Sequence, residues 1–146
     1  MGLKLLFVCT GNTCRSPLAV GLARQIFPAD TEIYSAGTSA FEGVAASPET
    51  IKVLNAKNID ITSHRARCVD KELIREADWV ITMTKAQERH LKALYPEFAQ
   101  KIKRLGDWSS HGKDVSDPWG GDTEVYQRCA EELEVLIKSL KEELIS

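Results

Sequence analysis

Apolar positions along the chain follow two alternating rhythms. Short runs with little polar interruption, at Lys4–Cys9, Glu32–Ser35, Trp79–Met83 and Ile102–Leu105, predict strands. Between them the apolar positions recur at helical spacing. The first predicted helix starts at Pro17, which suits an opening helical position, and runs to about Phe27. A second is announced by Ser47 as N-cap with Pro48 and Glu49 behind it, and carries Ile51, Val53 and Leu54. A short one follows Val69-Asp70, with Leu73 and Ile74 apolar. Another starts at Thr84, sets Leu91, Leu94 and Tyr95 on one side, and stops before Pro96. The last is the longest, Thr123 to Leu144, and its Val125, Leu133, Leu136, Ile137, Leu140 and Leu144 read as core positions.

Strands alternating with helices imply a parallel sheet covered on both faces. Right-handed crossovers leave few topologies. The expectation is an α/β three-layer sandwich, with four parallel strands in the order 2-1-3-4 and residues 1–146 forming a single domain. Ligands of open α/β sheets bind at the carboxyl ends of the strands, at the switch point. That places attention on the turn after strand 1. A second region of interest is the stretch from Gly106 to Asp122, a long irregular segment rich in Gly, Asp, Ser and aromatic residues.

The turn after strand 1 reads Val8-Cys9-Thr10-Gly11-Asn12-Thr13-Cys14-Arg15-Ser16-Pro17. A strand, a tight loop with a Gly11-Asn12 pair, and a helix start bring successive backbone N–H groups inward, beside the positive end of the helix dipole. A tetrahedral oxyanion fits such a cradle of residues 10–16. Arg15 can clamp two of its oxygens with its planar fork. The same field favours the thiolate of Cys9, the form that attacks, and Ser16 is placed to give that sulfur a hydroxyl donor. Cys9 could instead be a buried small hydrophobe, but that does not account for Arg15. Zinc binding by Cys9 and Cys14 is disfavoured because no second ligand pair matches them. P-loop nucleotide binding is excluded, since no Gly-Lys-Ser/Thr follows the glycine. The pattern points to a cysteine enzyme that hydrolyses phosphate compounds.

Such chemistry needs an acid to protonate the leaving group. Asp117-Pro118, in the long irregular stretch, is the best candidate, although Asp-Pro is also common turn chemistry. Asp107, Asp114 and Asp122 remain open as alternatives. Composition narrows the partners. The net charge of −2 argues against nucleic acid. The apolar N-terminal run is too short to span a membrane. Four cysteines, at 9, 14, 68 and 129, show no scaffold spacing, so a reducing cytoplasm is expected.

Cys9-x5-Arg15-Ser16 near the N-terminus, together with the late Asp117-Pro118, resembles the low-molecular-weight protein tyrosine phosphatase family. Ser35-Ala36-Gly37, Ser63-His64-x-Ala66-Arg67 and Ala77-Asp78-Trp79-Val80-Ile81-x-Met83 agree in order, so the likeness covers essentially the whole chain. The resemblance implies Cys9 as nucleophile, Arg15 as transition-state clamp, and Asp117 as acid in the first step and base in the second. It implies that Asn12, Ser16, Ser35 and His64 form the hydrogen-bond network holding loop and thiolate. It implies a phosphorylated protein as substrate, with neither metal nor cofactor required; a monomer is expected. The family includes phosphotyrosine enzymes and a bacterial branch acting on phosphoarginine. Thr13, where tyrosine enzymes carry a bulky aliphatic residue, and Trp119-Gly120-Gly121 after Pro118 are similar to the arginine branch. Phosphoarginine is therefore favoured over phosphotyrosine. Phe41 and Trp119 are candidate aromatic walls for either substrate. Thioredoxin-coupled arsenate reductases share a similar loop but need two closely spaced late cysteines, whereas Cys68 and Cys129 lie far apart. A non-catalytic phosphate binder would have no use for Cys9 and Asp117 together. Cys14, inside the loop, raises the hypothesis of a reversible disulfide with Cys9 that protects the nucleophile from over-oxidation.

Overall fold

The computed structural model describes residues 2–110 and 112–145. Its centre is a four-stranded parallel sheet in the order β2-β1-β3-β4, as the alternation of elements predicts. The strands are β1 (Lys4–Cys9), β2 (Glu32–Gly37), β3 (Trp79–Thr82) and β4 (Ile102–Arg104). Strand β1 is central, and its side chains alternate between two separate cores. Leu5, Phe7 and Cys9 face one layer, with α1 (Arg15–Ile26), α2 (Pro48–Asn55) and α5 (Thr123–Ile145) contributing Leu18, Leu54, Leu133 and Ile137. Leu6 and Val8 face the other, with Ile74 of α3 (Lys71–Glu76) and Leu91 of α4 (Lys85–Leu94). Burying both faces of one strand explains why β1 reads as an unbroken apolar run.

Several boundaries differ from the sequence expectation for identifiable reasons. Strand β2 extends two residues past Ser35, because its ladder with β1 continues to the Cys9–Gly37 pair. Helix α1 begins at Arg15, with Cys14 as its N-cap residue, so Pro17 stands in the third helical position and not the first. That position costs no hydrogen bond, since the first-turn N–H groups have no partner within a helix. Two 3₁₀ segments, Pro96–Lys101 and Leu105–Trp108, occupy stretches read as loop or strand end. The remaining caps match their signals: Ser47 accepts from the Thr50 amide and Asp70 from the Leu73 amide. Thr84 and Gln87 form a capping box.

The fold delivers the β1–α1 loop to the carboxyl edge of the sheet. Gly37, at the end of β2, packs so closely beneath it that a Cβ there would lie 2.5 Å from the Thr10 carbonyl oxygen. The Thr38 and Ser39 amides donate to the carbonyls of Cys9 and Thr10, both at 2.9 Å. The loop therefore continues the sheet's hydrogen bonding beyond the last ladder pair.

Candidate active site

Asn12 organises the β1–α1 loop. It adopts the left-handed backbone conformation with φ of 58°, which its short polar side chain tolerates better than most. Gly11 has no positive φ, so the tight turn falls on the second residue of the Gly-Asn pair. The Asn12 side chain is fully buried and saturated. Its Nδ2 donates to Ser16 Oγ at 2.7 Å and to Ser35 Oγ at 2.9 Å, and its Oδ1 accepts from the Arg67 amide at 3.0 Å. Its carbonyl accepts from His64 Nε2 at 2.8 Å, which assigns the proton to that nitrogen. Burial pushes the His64 imidazole below its ordinary pKa despite the Asn12 bond, and the charges of Arg24, Arg65 and Arg67 add to this. At neutral pH the ring is thus the neutral Nε2–H form.

The same network reaches the sulfur. Cys9 Sγ lies 3.0 Å from Ser16 Oγ and accepts from the Asn12 amide at 3.2 Å. Because Ser16 Oγ already accepts from Asn12, its own proton is directed to Cys9. Two donors thus converge on a thiol that is only 2 % exposed.

Further anchors hold the loop from outside. The Thr13 carbonyl accepts from the Ser47 amide at 3.0 Å and from Thr50 Oγ1 at 3.2 Å, tying the loop to the start of α2. Thr10 Oγ1 accepts from Gln87 Nε2 at 3.0 Å. Cys14 Sγ sits 3.2 Å from the hydroxyl of Tyr126, a buried residue of α5. All four cysteines are free thiols.

Cys9, Thr10, Gly11, Thr13, Cys14 and Arg15 form the floor of a cavity of about 370 Å³, whose walls are Ser39, Phe41, Val44, Asp117 and Trp119. Arg15 is buried. One terminal nitrogen donates to the Val115 carbonyl at 3.0 Å, and the other lies 3.7 Å from Asp117 Oδ2. Among the described residues its buried Nε has no hydrogen-bond partner. A positive, partly unsatisfied fork on the floor of a cavity is suited to an oxyanion. Val115 is itself fixed, its amide donating to the Met83 carbonyl at 2.9 Å at the end of β3.

The structure separates the four candidate acids. Asp107 and Asp114 are both engaged by Arg104 and Lys85. For each, burial raises the carboxyl's pKa, but hydrogen bonds from the Arg104 guanidinium and from Lys85, through its ammonium at Asp107 and its backbone amide at Asp114, outweigh it and hold the group below the usual range. Asp122 caps the first turn of α5 by accepting from the Val125 amide. Asp117 alone of the four lines the cavity, with its side chain 53 % exposed. It also accepts from the Trp119 amide at 3.1 Å, so the turn role and the cavity position coincide.

The structure brings Asn12, Ser16, Ser35 and His64 into one hydrogen-bond network, as the resemblance implies. The Asn12 and Ser16 side chains, counted also with the oxyanion cradle, are fully buried behind the loop, and His64 lines a separate cavity. Ser39 and Val44 were not anticipated as walls, nor Gln87, Arg67 and Thr50 as anchors. Gln87 is legible as a capping-box residue, but nothing local shows that its amide also reaches Thr10. Among the described residues, no group of three or more His, Cys, Asp and Glu side chains is arranged to hold a metal ion. No helix among them is long and apolar enough to cross a membrane.

Comparison with known proteins agrees with this geometry. The profile of the low molecular weight phosphotyrosine protein phosphatase family matches residues 4–146. The chain belongs to that family. This phosphatase is 40% identical over 145 residues to a protein-arginine-phosphatase of Geobacillus stearothermophilus, covering 99% of this chain and 97% of the relative. A low molecular weight protein tyrosine phosphatase from T. tengcongensis superimposes with a TM-score of 0.93 at 44% identity, covering 98% of this chain and 100% of that one. A Cys-to-Ser variant of the arginine phosphatase YwlE, solved with a phosphorylated active-site serine, superimposes with a TM-score of 0.92 at 31% identity, covering 97% of this chain and 95% of that one. The relatives thus include both substrate classes.

Proposed function

We propose that this phosphatase removes phosphoryl groups from protein side chains through a phosphocysteine at Cys9, with phosphoarginine as the preferred substrate. The carrying observation is the convergence of Cys9, Arg15 and Asp117 on one cavity. In the first step the Cys9 sulfur attacks phosphorus, the P–N bond of phosphoarginine breaks, and the Asp117 carboxyl passes its proton to the departing nitrogen. Arg15 and the loop amides hold the three equatorial oxygens as charge spreads over them. In the second step Asp117, now a carboxylate, takes a proton from water. The resulting hydroxide attacks phosphorus, the S–P bond breaks, and Cys9 returns as thiolate stabilised by Ser16 and the Asn12 amide. The relative with a phosphorylated serine in place of its active-site cysteine supports attack from this position.

Preference for phosphoarginine rests on Thr13 in the cavity floor and on the glycines that follow Trp119. A threonine hydroxyl offers a polar contact near phosphorus where isoleucine would offer bulk. Asp117 attracts a cationic guanidinium, and Phe41 and Trp119 can stack on its plane. The protein-arginine-phosphatase relative at 40% identity supports this reading. The tyrosine-phosphatase relative at 44% identity keeps phosphotyrosine as the second reading, because the same two aromatics can flank a phenyl ring. Side-by-side hydrolysis of phosphoarginine and phosphotyrosine by the purified protein should give the higher kcat/KM for phosphoarginine. Thr13→Ile should lower that value about tenfold while sparing or raising aryl phosphate hydrolysis. Equal losses on both substrates would contradict the assignment.

We place the working chain in a reducing cytoplasm, consistent with its free thiols, as a single-domain monomer that completes its catalytic cavity by itself.

A further inference from the structure

Behind the catalytic loop lies a second cavity, of about 270 Å³, which shares no lining residue with the first. Three of its walls are the guanidinium groups of Arg24, Arg65 and Arg67, and the carboxylate lining it is that of Asp60. Among the described residues none of these three arginines is ion-paired with a carboxylate. Each is instead held by backbone oxygen: Arg24 by the Ile33 carbonyl at 3.0 Å, Arg65 by those of Thr62 and His64, and Arg67 by that of Ser35 at 3.2 Å. A carbonyl orients a guanidinium without cancelling its charge. Asp60 is occupied locally, accepting from both the amide and the hydroxyl of Thr62. The result is a concave surface with three fixed cations and a surplus of positive charge, the usual design of a phosphate site.

We propose that this cavity binds a small phosphate dianion between Arg24, Arg65 and Arg67, and that its occupancy is felt by the catalytic loop through Asn12. Two lining side chains make the connection. His64 donates to the Asn12 carbonyl, and Ser35 Oγ accepts from Asn12 Nδ2. A third link is the Arg67 backbone amide, which donates to Asn12 Oδ1. An anion that draws the three guanidinium groups together would therefore act on the residue that sets the turn beneath Cys9. The ligand is either orthophosphate, the reaction's own inorganic product, or the phosphate group of a small metabolite. Both present the same tetrahedral dianion to the arginines.

The test is a two-dimensional amide NMR titration of the Cys9→Ser protein, one arm with orthophosphate and one with free phosphoserine. Orthophosphate reaches both cavities, so two isotherms are expected: one on Thr13 and Cys14 at the loop, the other on Ser63 and Arg65 behind it. The second should be carried by the Asn12 side-chain amide as well. An Arg24→Gln, Arg65→Gln double variant should weaken the second isotherm by about tenfold or more and leave the first in place. Both side chains are exposed and stand outside the loop network, so the fold should be retained. A rear isotherm for phosphoserine tighter than that for orthophosphate would assign the site to a metabolite, and the reverse order to the inorganic ion. A rear isotherm unmoved by the double variant, or shifts confined to the loop, would overturn the proposal. Rear shifts that leave the Asn12 side chain untouched would overturn its coupling to catalysis. The titration reads binding and not turnover, so its outcome is independent of which phosphorylated side chain the enzyme prefers.

Discussion

The floor of the catalytic cavity and its rim are built on opposite terms. On the floor, Cys9 is nearly fully buried, and behind it Asn12 and Ser16 are fully so, with a partner for every polar atom of the Asn12 side chain. At the rim, Phe41 is 81% exposed and Trp119 76%. The rim is not loose throughout. The backbone around Phe41 is tied to strand-like partners, with Gly43 donating to the Ala66 carbonyl and Ala66 to that of Val44. Only the side chains stand free. Under the proposed mechanism this contrast means that the loop fixes where phosphorus sits, while the rim is left to meet whatever carries it. A buried, saturated network admits one geometry. Exposed aromatics can accept several leaving groups at small cost in stability. One residue crosses between the two regimes: Asp117 is an exposed rim residue with a proposed proton to deliver, and its link to the floor is the 3.7 Å contact with Arg15.

Substitutions can break this contrast at either end. The largest effect on both fold and turnover is expected at Asn12. Asn12→Ala strands the Ser16 and Ser35 hydroxyls and the Arg67 amide around a left-handed alanine, and should cost about 2–4 kcal/mol of stability in chemical denaturation. It should also lower kcat by about 10²–10³-fold, since two donors to the sulfur lose their setting. Asp117→Asn should lower kcat by about 10²–10³-fold on phosphoarginine with thermal stability nearly unchanged, because the side chain is half exposed and bears little of the fold. A large drop in stability there would show that the rim is structurally coupled to the floor after all. Trp119→Ala should do least: KM for a phosphorylated peptide raised a few-fold, and stability within about 0.5 kcal/mol of the parent.

How much of this was legible in the sequence follows the same division. Strand order, the five helices and the Cys9–Arg15–Asp117 grouping are readable because each rests on local pattern or on residue types whose chemistry is distinctive. The anchors are not. Arg67 and Gln87 reach Asn12 and Thr10 from 55 and 77 residues away, and although Gln87 reads as a capping-box residue and Arg67 belongs to a quoted motif, nothing local shows what either reaches. The sequence favours Asp117 through its Asp-Pro pair, but Asp107 and Asp114 are set aside as candidate acids only once Arg104 and Lys85 are seen to occupy them. The early start of α1 was hidden for a related reason. Pro17 is a strong helix-opening signal, but the loop closes onto Cys14 and the helical turn is already under way at Arg15. The Pro96–Lys101 turn was hidden too, because a proline that ends one helix also serves as the first residue of a 3₁₀ segment.

The central claim is that Cys9 becomes covalently bonded to phosphorus during turnover. Rapid acid quench of the enzyme mixed with a phosphorylated substrate, followed by peptide mass analysis, measures this directly. The account predicts one phosphoryl group on the peptide holding Cys9, together with loss of both adduct and turnover in Cys9→Gly. Turnover that persists in that variant, or a phosphoryl group found on another side chain, would contradict it.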